Sequence, residues 1–65
     1  MAQSYYRDLT ALLKSAGFVL HRQAKGSHEV WRRAEDSVQV TLACTIKSRV
    51  LANKILKDAG LPKAF

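Results

Sequence analysis

Apolar positions along the chain recur first at helical spacing, then alternate, then return to helical spacing. In SYYRDLTALLKSA, residues 4–16, Tyr5, Leu9, Leu12, Leu13 and Ala16 form one stripe, while Arg7, Thr10 and Lys14 fall off it. That pattern predicts an amphipathic helix. Ser4 is placed to cap its start, and Gly17 to take the left-handed conformation beyond its end. From Phe18 the period drops to two, with Phe18, Leu20 and Arg22 alternating against Val19, His21 and Gln23, which predicts a strand. AKGS follows as a hairpin turn, with Gly26 free to take positive φ. A second strand is read over His28 to Arg33, AEDS is a polar turn, and SVQVTLA is the third strand. There Val38, Val40 and Leu42 face one way and Gln39 and Thr41 the other. TIKSRVLANKILKDAGL returns to helical spacing through Val50, Leu51, Ile55, Leu56 and Ala59. Ser48 or Thr45 is placed to cap it, and Gly60 and Pro62 end it.

The order helix, three antiparallel strands, helix is an α+β arrangement, α-β-β-β-α, in which both helices cover the apolar face of a three-stranded sheet. Residues 1–65 read as one domain. The second strand leaves one question open. His28, Val30 and Arg32 share one face, Glu29, Trp31 and Arg33 the other, and either face has an apolar residue for the core. The reading favoured from sequence turns Val30 inward, frees Trp31 for the open face, and puts His28 at the frayed edge of the strand.

Charge narrows the choice of partner. Eleven Lys and Arg against five Asp and Glu leave a net charge of +6 on 65 residues, a footprint suited to a polyanion. Cys44 is the single cysteine, so no intramolecular disulfide forms and the thiol reads as a small apolar side chain in a reducing compartment. His21, His28 and Cys44 lack the close ligand pairs of a structural zinc site, so neither metal nor cofactor is expected. No apolar run approaches the roughly 20 residues of a membrane span, and no signal-peptide core is legible, which makes the cytoplasm the expected compartment.

The two histidines are the side chains suited to acid or base chemistry near neutral pH. His21 lies in mid-strand, where a solvent-facing structural role is the simpler reading. His28 follows the Lys25-Gly26-Ser27 turn at the mouth of a hairpin, where backbone and side chain can approach a substrate. Arg22, Lys25, Arg32 and Arg33 surround it in sequence and form a candidate phosphate-binding patch, with Trp31 either stacking on an unpaired base or packing in the core.

GFVLHRQAKGSHEVWRR, preceded by LLKSAGF and followed later by ILKDAGL, resembles the HicA family of bacterial toxins, the mRNA interferases of HicAB toxin-antitoxin systems. The likeness covers most of the chain, and its strongest part is Gly26-Ser27-His28 after Arg22 and Gln23. The resemblance implies a fold like the double-stranded-RNA-binding domain and ribosome-independent cleavage of mRNA. It also implies a catalytic histidine at His28 and a HicB-like antitoxin that masks the site. Arg22, Lys25, Gly26, Ser27, Trp31, Arg32 and Arg33 are the expected RNA-binding residues, and the free protein is expected to be a monomer. LACTIKSRVLANK departs from the family, which commonly carries a proline- and histidine-containing segment there. Two other readings compete: a non-catalytic RNA-binding module, drawing also on Lys47 and Lys54, and a basic partner for an acidic protein. DNA recognition by a helix-turn-helix fits the order less well, because the whole sheet region, and not a short turn, separates the two helices.

Overall fold

A computed structural model of the protein describes residues 4–65; the first three residues of the domain read over 1–65 lie outside the described residues. Helix α1 spans Tyr6–Ser15, strands β1, β2 and β3 span Phe18–Gln23, His28–Arg33 and Val38–Ala43, and helix α2 spans Arg49–Asp58. The strands form one antiparallel sheet in the order β1-β2-β3, so β2 is central. Both helices lie against one face of it, as the α-β-β-β-α pattern predicts.

The buried stripe of α1 is Leu9 and Leu13, one turn apart and both fully inaccessible, while Leu12 sits at the margin with 37% exposure. Ser4 stands one residue before the capping position, its hydroxyl accepting from Tyr6 N at 3.3 Å. The start of α1 is also tied to the segment before α2, because Tyr5 N donates to the carbonyl of Ile46 at 2.7 Å.

In α2 the cap is Ser48, whose hydroxyl accepts from Leu51 N at 3.1 Å. Cys44 and Thr45 form a turn and Ser48 itself is extended, so the helix begins later than Thr45. Its buried stripe also differs from the sequence reading. Ala52, Ile55, Leu56 and Ala59, at spacings of three, one and three, face the sheet, whereas Val50 and Leu51 are 77% and 46% exposed. With Ser48 fixing the start, Val50 and Leu51 fall in the first turn, on the side away from the strands. Ile46, ahead of the cap, fills the core in their place.

Arg33 joins the far end of the molecule. Its guanidinium forms an ion pair with Asp36 at 2.9 Å, lies 4.7 Å from the Phe18 ring centroid, and donates to the carbonyls of Ala16 and Ala59 at 3.4 Å each. Those carbonyls belong to the residues that close α1 and α2, where a cation also meets the negative ends of two helix dipoles. Gly17 and Gly60 follow these caps at φ +94° and +79°, and a Cβ on Gly17 would lie 3.6 Å from the Arg33 side chain.

The two helical stripes predict opposite outcomes for neighbouring substitutions in α2. Ile55→Ala, at a position 5% exposed, is expected to cost about 2–5 kcal/mol, and Val50→Ala to stay within about 0.5 kcal/mol of the wild type. Urea unfolding of the two variants measures the difference. Equal losses would contradict this placement of α2.

Candidate nucleic-acid interface

Turning β2 about its axis decides which residues can meet a ligand. Trp31 lies opposite Leu20 and Val40, and Glu29 opposite Leu42, so both face the helices. Trp31 is 3% exposed within the core and donates from Nε1 to the Glu29 carboxylate at 3.0 Å. The same carboxylate oxygen accepts from the Tyr6 hydroxyl at 2.7 Å. This overturns the expectation that Val30 turns inward. Val30 faces the other way and is buried beneath its neighbours on the open face, apart from the main core cluster. The larger aromatic surface takes the core side, and the one carboxylate it brings with it finds two donors there.

The same phase places His28, Val30 and Arg32 on the open face. His28 is exposed and pairs with Ala43 of β3, and its carbonyl accepts from Ala24 N at 2.8 Å, so small side chains flank the imidazole on both sides. Its Nδ1 lies 3.3 Å from the Lys25 carbonyl across the turn. When that nitrogen carries the proton, the contact is a hydrogen bond that leaves Nε2 toward solvent as the basic atom.

The turn is the predicted one, with Gly26 at φ +69° and open space around it. Lys25, Gly26 and Ser27 are all exposed, and the Ser27 carbonyl accepts from Cys44 N at 2.9 Å, which fastens the turn to the end of β3. Arg22 lies opposite Val30, with His28 and Arg32 the next residues of β2 on that face, one to either side. Arg32 lies between Val19 and Gln39, donates to the Ser37 hydroxyl at 3.2 Å, and stands about 13 Å along the strand from His28. Its Nε is buried with no hydrogen-bond partner. His21 is the exposed extra residue of an irregularity in β1.

Arg22, Lys25, Gly26, Ser27, His28 and Arg32 therefore gather along one face and one hairpin end. Two members of the sequence-derived set do not join them. Trp31 is sealed in the core and offers no ring to stack on a base. Arg33 points to the helix side, its charge engaged by Asp36 and the two helix ends. Among the described residues no three His, Cys, Asp or Glu side chains cluster.

Sequence reasoning missed the group beneath His28. Burial works to raise the Glu29 carboxyl, but the hydrogen bonds from Tyr6 and Trp31, with the Cys44 thiol beside them, outweigh it and hold it below the ordinary carboxylate range. The bond to Glu29, then burial, push the Tyr6 phenol from 10.0 up to about 12. Burial, then Glu29, also raise the Cys44 thiol, which keeps it protonated and poorly nucleophilic. The signal available in sequence was an acidic residue in the apolar phase of a central strand, two residues before a tryptophan.

A family model described as the HicA toxin of bacterial toxin-antitoxin systems matches residues 6–61, which contain all five elements. The chain belongs to that family, and is accordingly the toxin of a toxin-antitoxin pair with an antitoxin as its partner. Neither the curated proteins nor the solved structures searched give a match. Among the described residues no helix is long and apolar enough to cross a membrane.

The Tyr6–Glu29 bond sets the pH range of stability. The lowered carboxyl stabilises the fold above the ordinary carboxylate range and loses that contribution as pH falls through its lowered value. The raised phenol contributes fully below pH 10.0 and loses its contribution as pH rises toward about 12. Tyr6→Phe is expected to cost about 1–2 kcal/mol at neutral pH. It should also flatten the alkaline decline of Tm between pH 10 and 12. Parallel declines in the two proteins would show that the bond makes no such contribution.

Proposed function

We propose that this HicA-family toxin is a metal-independent endoribonuclease that cuts mRNA without the ribosome, with His28 as its catalytic residue. The observation that carries the reading is an exposed imidazole, flanked by Ala24 and Ala43, on a sheet face that also presents Arg22 and Arg32. RNA supplies its own nucleophile. His28 takes the proton of a 2′-hydroxyl, the 2′-oxygen bonds to the adjacent phosphorus, and the bond to the 5′-oxygen breaks, that oxygen leaving with a proton from water. Cations beside His28, Lys25 among them, stabilise the charge that grows on the phosphoryl oxygens, and Arg32, farther along the open face, holds the flanking RNA. The products are a 2′,3′-cyclic phosphate and a 5′-hydroxyl, and no metal is required by this scheme. The antitoxin neutralises the toxin by covering the face that bears His28, in a cytoplasm where the free toxin is a monomer.

The recognition surface favours backbone over base. Tyr5, Tyr6, Phe18, Trp31 and Phe65 pack in or against the helix-side core, so among the described residues the open face carries no Phe, Tyr or Trp for stacking. Phosphate contacts then supply most of the affinity, with little discrimination among sequences.

His28→Ala is expected to slow RNA cleavage by about 100-fold or more and to abolish growth arrest on expression. Cleavage by the wild type should persist in excess chelator and leave cyclic phosphate ends. Activity of His28→Ala equal to wild type would remove the catalytic assignment and leave an RNA-binding module. Binding to single-stranded RNA should weaken with salt at a slope near −2 for the three cations Arg22, Lys25 and Arg32, by about 0.7 per phosphate contact. Neutralising either arginine should lower the slope by about that increment, and a slope unmoved by both would remove the open face from the binding surface.

A further inference from the structure

Strict alternation from Phe18 sends Arg22 to the side of Phe18 and Leu20, toward the helices. The pairing of β1 with β2 is not strict. Leu20 lies opposite Trp31 and Arg22 opposite Val30, so two steps along β1 are met by one along β2, and His21 is the added residue of a β-bulge. In an unbroken register Arg22 would oppose Glu29 and place its guanidinium on the side where Tyr6 and Trp31 already bond that carboxylate. The bulge turns it to the open face instead, one diagonal from His28, where diagonal neighbours stand about 7 Å apart at their bases.

Arg22 is also uncommitted. Arg33 is bound by Asp36 and two helix ends, and Arg32 donates to Ser37, whereas among the described residues the exposed side chain of Arg22 makes no hydrogen bond and no ion pair. A planar fork of donors, free and on the same face as an imidazole with alanines at its flanks, matches two non-bridging oxygens of one phosphodiester.

Resting on the ribonuclease reading, we propose that Arg22 grips the phosphate that reacts at His28, and that the β-bulge at His21 is the device that brings it there. Arg22 is thereby a catalytic residue that stabilises the pentacoordinate phosphorus, distinct from Arg32, which holds RNA farther along the face.

Single-turnover cleavage of a defined RNA over a range of protein concentrations tests this, with His28→Ala run beside the arginine variants. Arg22→Ala is expected to lower the maximal rate about 100-fold while half-saturation moves only a few-fold. Arg22→Lys should restore a part of it, since an ammonium supplies charge but not the fork. Arg32→Ala should shift half-saturation with the maximal rate kept. Arg22→Ala combined with Gln23→Arg keeps the net charge but puts the guanidinium opposite Glu29, and should remain as slow as Arg22→Ala. Recovery of the wild-type rate by that pair would overturn the bulge argument. A wild-type maximal rate in Arg22→Ala, with His28→Ala inactive, would overturn the assignment of Arg22 alone. Full activity in His28→Ala would instead bring down the ribonuclease reading on which it rests.

Discussion

A buried carboxylate sets the phase of the central strand, and the phase of that strand sets everything the molecule presents. Glu29 is 7% exposed and survives there because the Tyr6 hydroxyl and the Trp31 indole both donate to it. Successive side chains of a strand point to opposite faces, so holding Glu29 and Trp31 inward sends His28, Val30 and Arg32 outward without any further interaction. The network also runs from β2 to α1, which locks the strand carrying the imidazole to the helix packed behind it. A histidine on so small a domain gains its orientation from what lies on the reverse of its own strand.

The net charge of +6 divides by the same rule. Arg32 and Arg33 are neighbours in sequence but opposites in space. Arg33, on the helix side, is consumed by structure: Asp36, the Phe18 face and the carbonyl ends of both helices hold it. Arg32, on the open side, keeps part of its hydrogen-bonding capacity unmet. Counting basic residues in a segment therefore overstates a binding patch in a strand, because alternate positions belong to different surfaces.

Element order and most boundaries were legible because each rests on a local signal. Two period changes, glycines after both helices, and a Gly-bearing turn between two alternating runs were enough to place β1 and β2 to the residue and β3 to within one. The phase of β2 was not legible, since Val30 and Trp31 offered each face an apolar residue and the deciding partner, Tyr6, lies 23 positions from Glu29. The bulge was equally hidden. An added residue in β1 leaves the alternation of its sequence intact and is visible only in the pairing. The stripe of α2 was misjudged at Val50 and Leu51 because any two adjacent apolar residues fit a helical template until the cap at Ser48 fixes where its first turn begins. The sequence thus named His28, Arg22, Lys25, Gly26, Ser27 and Arg32 as a set without the face they share, because the favoured phase turned Val30 inward, and it grouped Trp31 and Arg33 with them although alternate positions of β2 belong to opposite faces.

A three-stranded sheet with helices on one side has one surface left on which to build a site, and that surface is open. Among the described residues no second layer covers it, and those beside His28 are alanines, so they limit access to the imidazole little. In larger proteins a lid or a neighbouring domain excludes water and controls entry. Here that control comes, on the ribonuclease reading, from the antitoxin that membership of a toxin-antitoxin family implies. On the ribonuclease reading, the feature that makes the toxin dangerous, an uncovered cation-bearing face, is also the one a partner can cover in a single contact. The economy follows from size: a chain that spends Glu29, Trp31 and Arg33 on holding itself together has only the opposite phase of the same strand left for function.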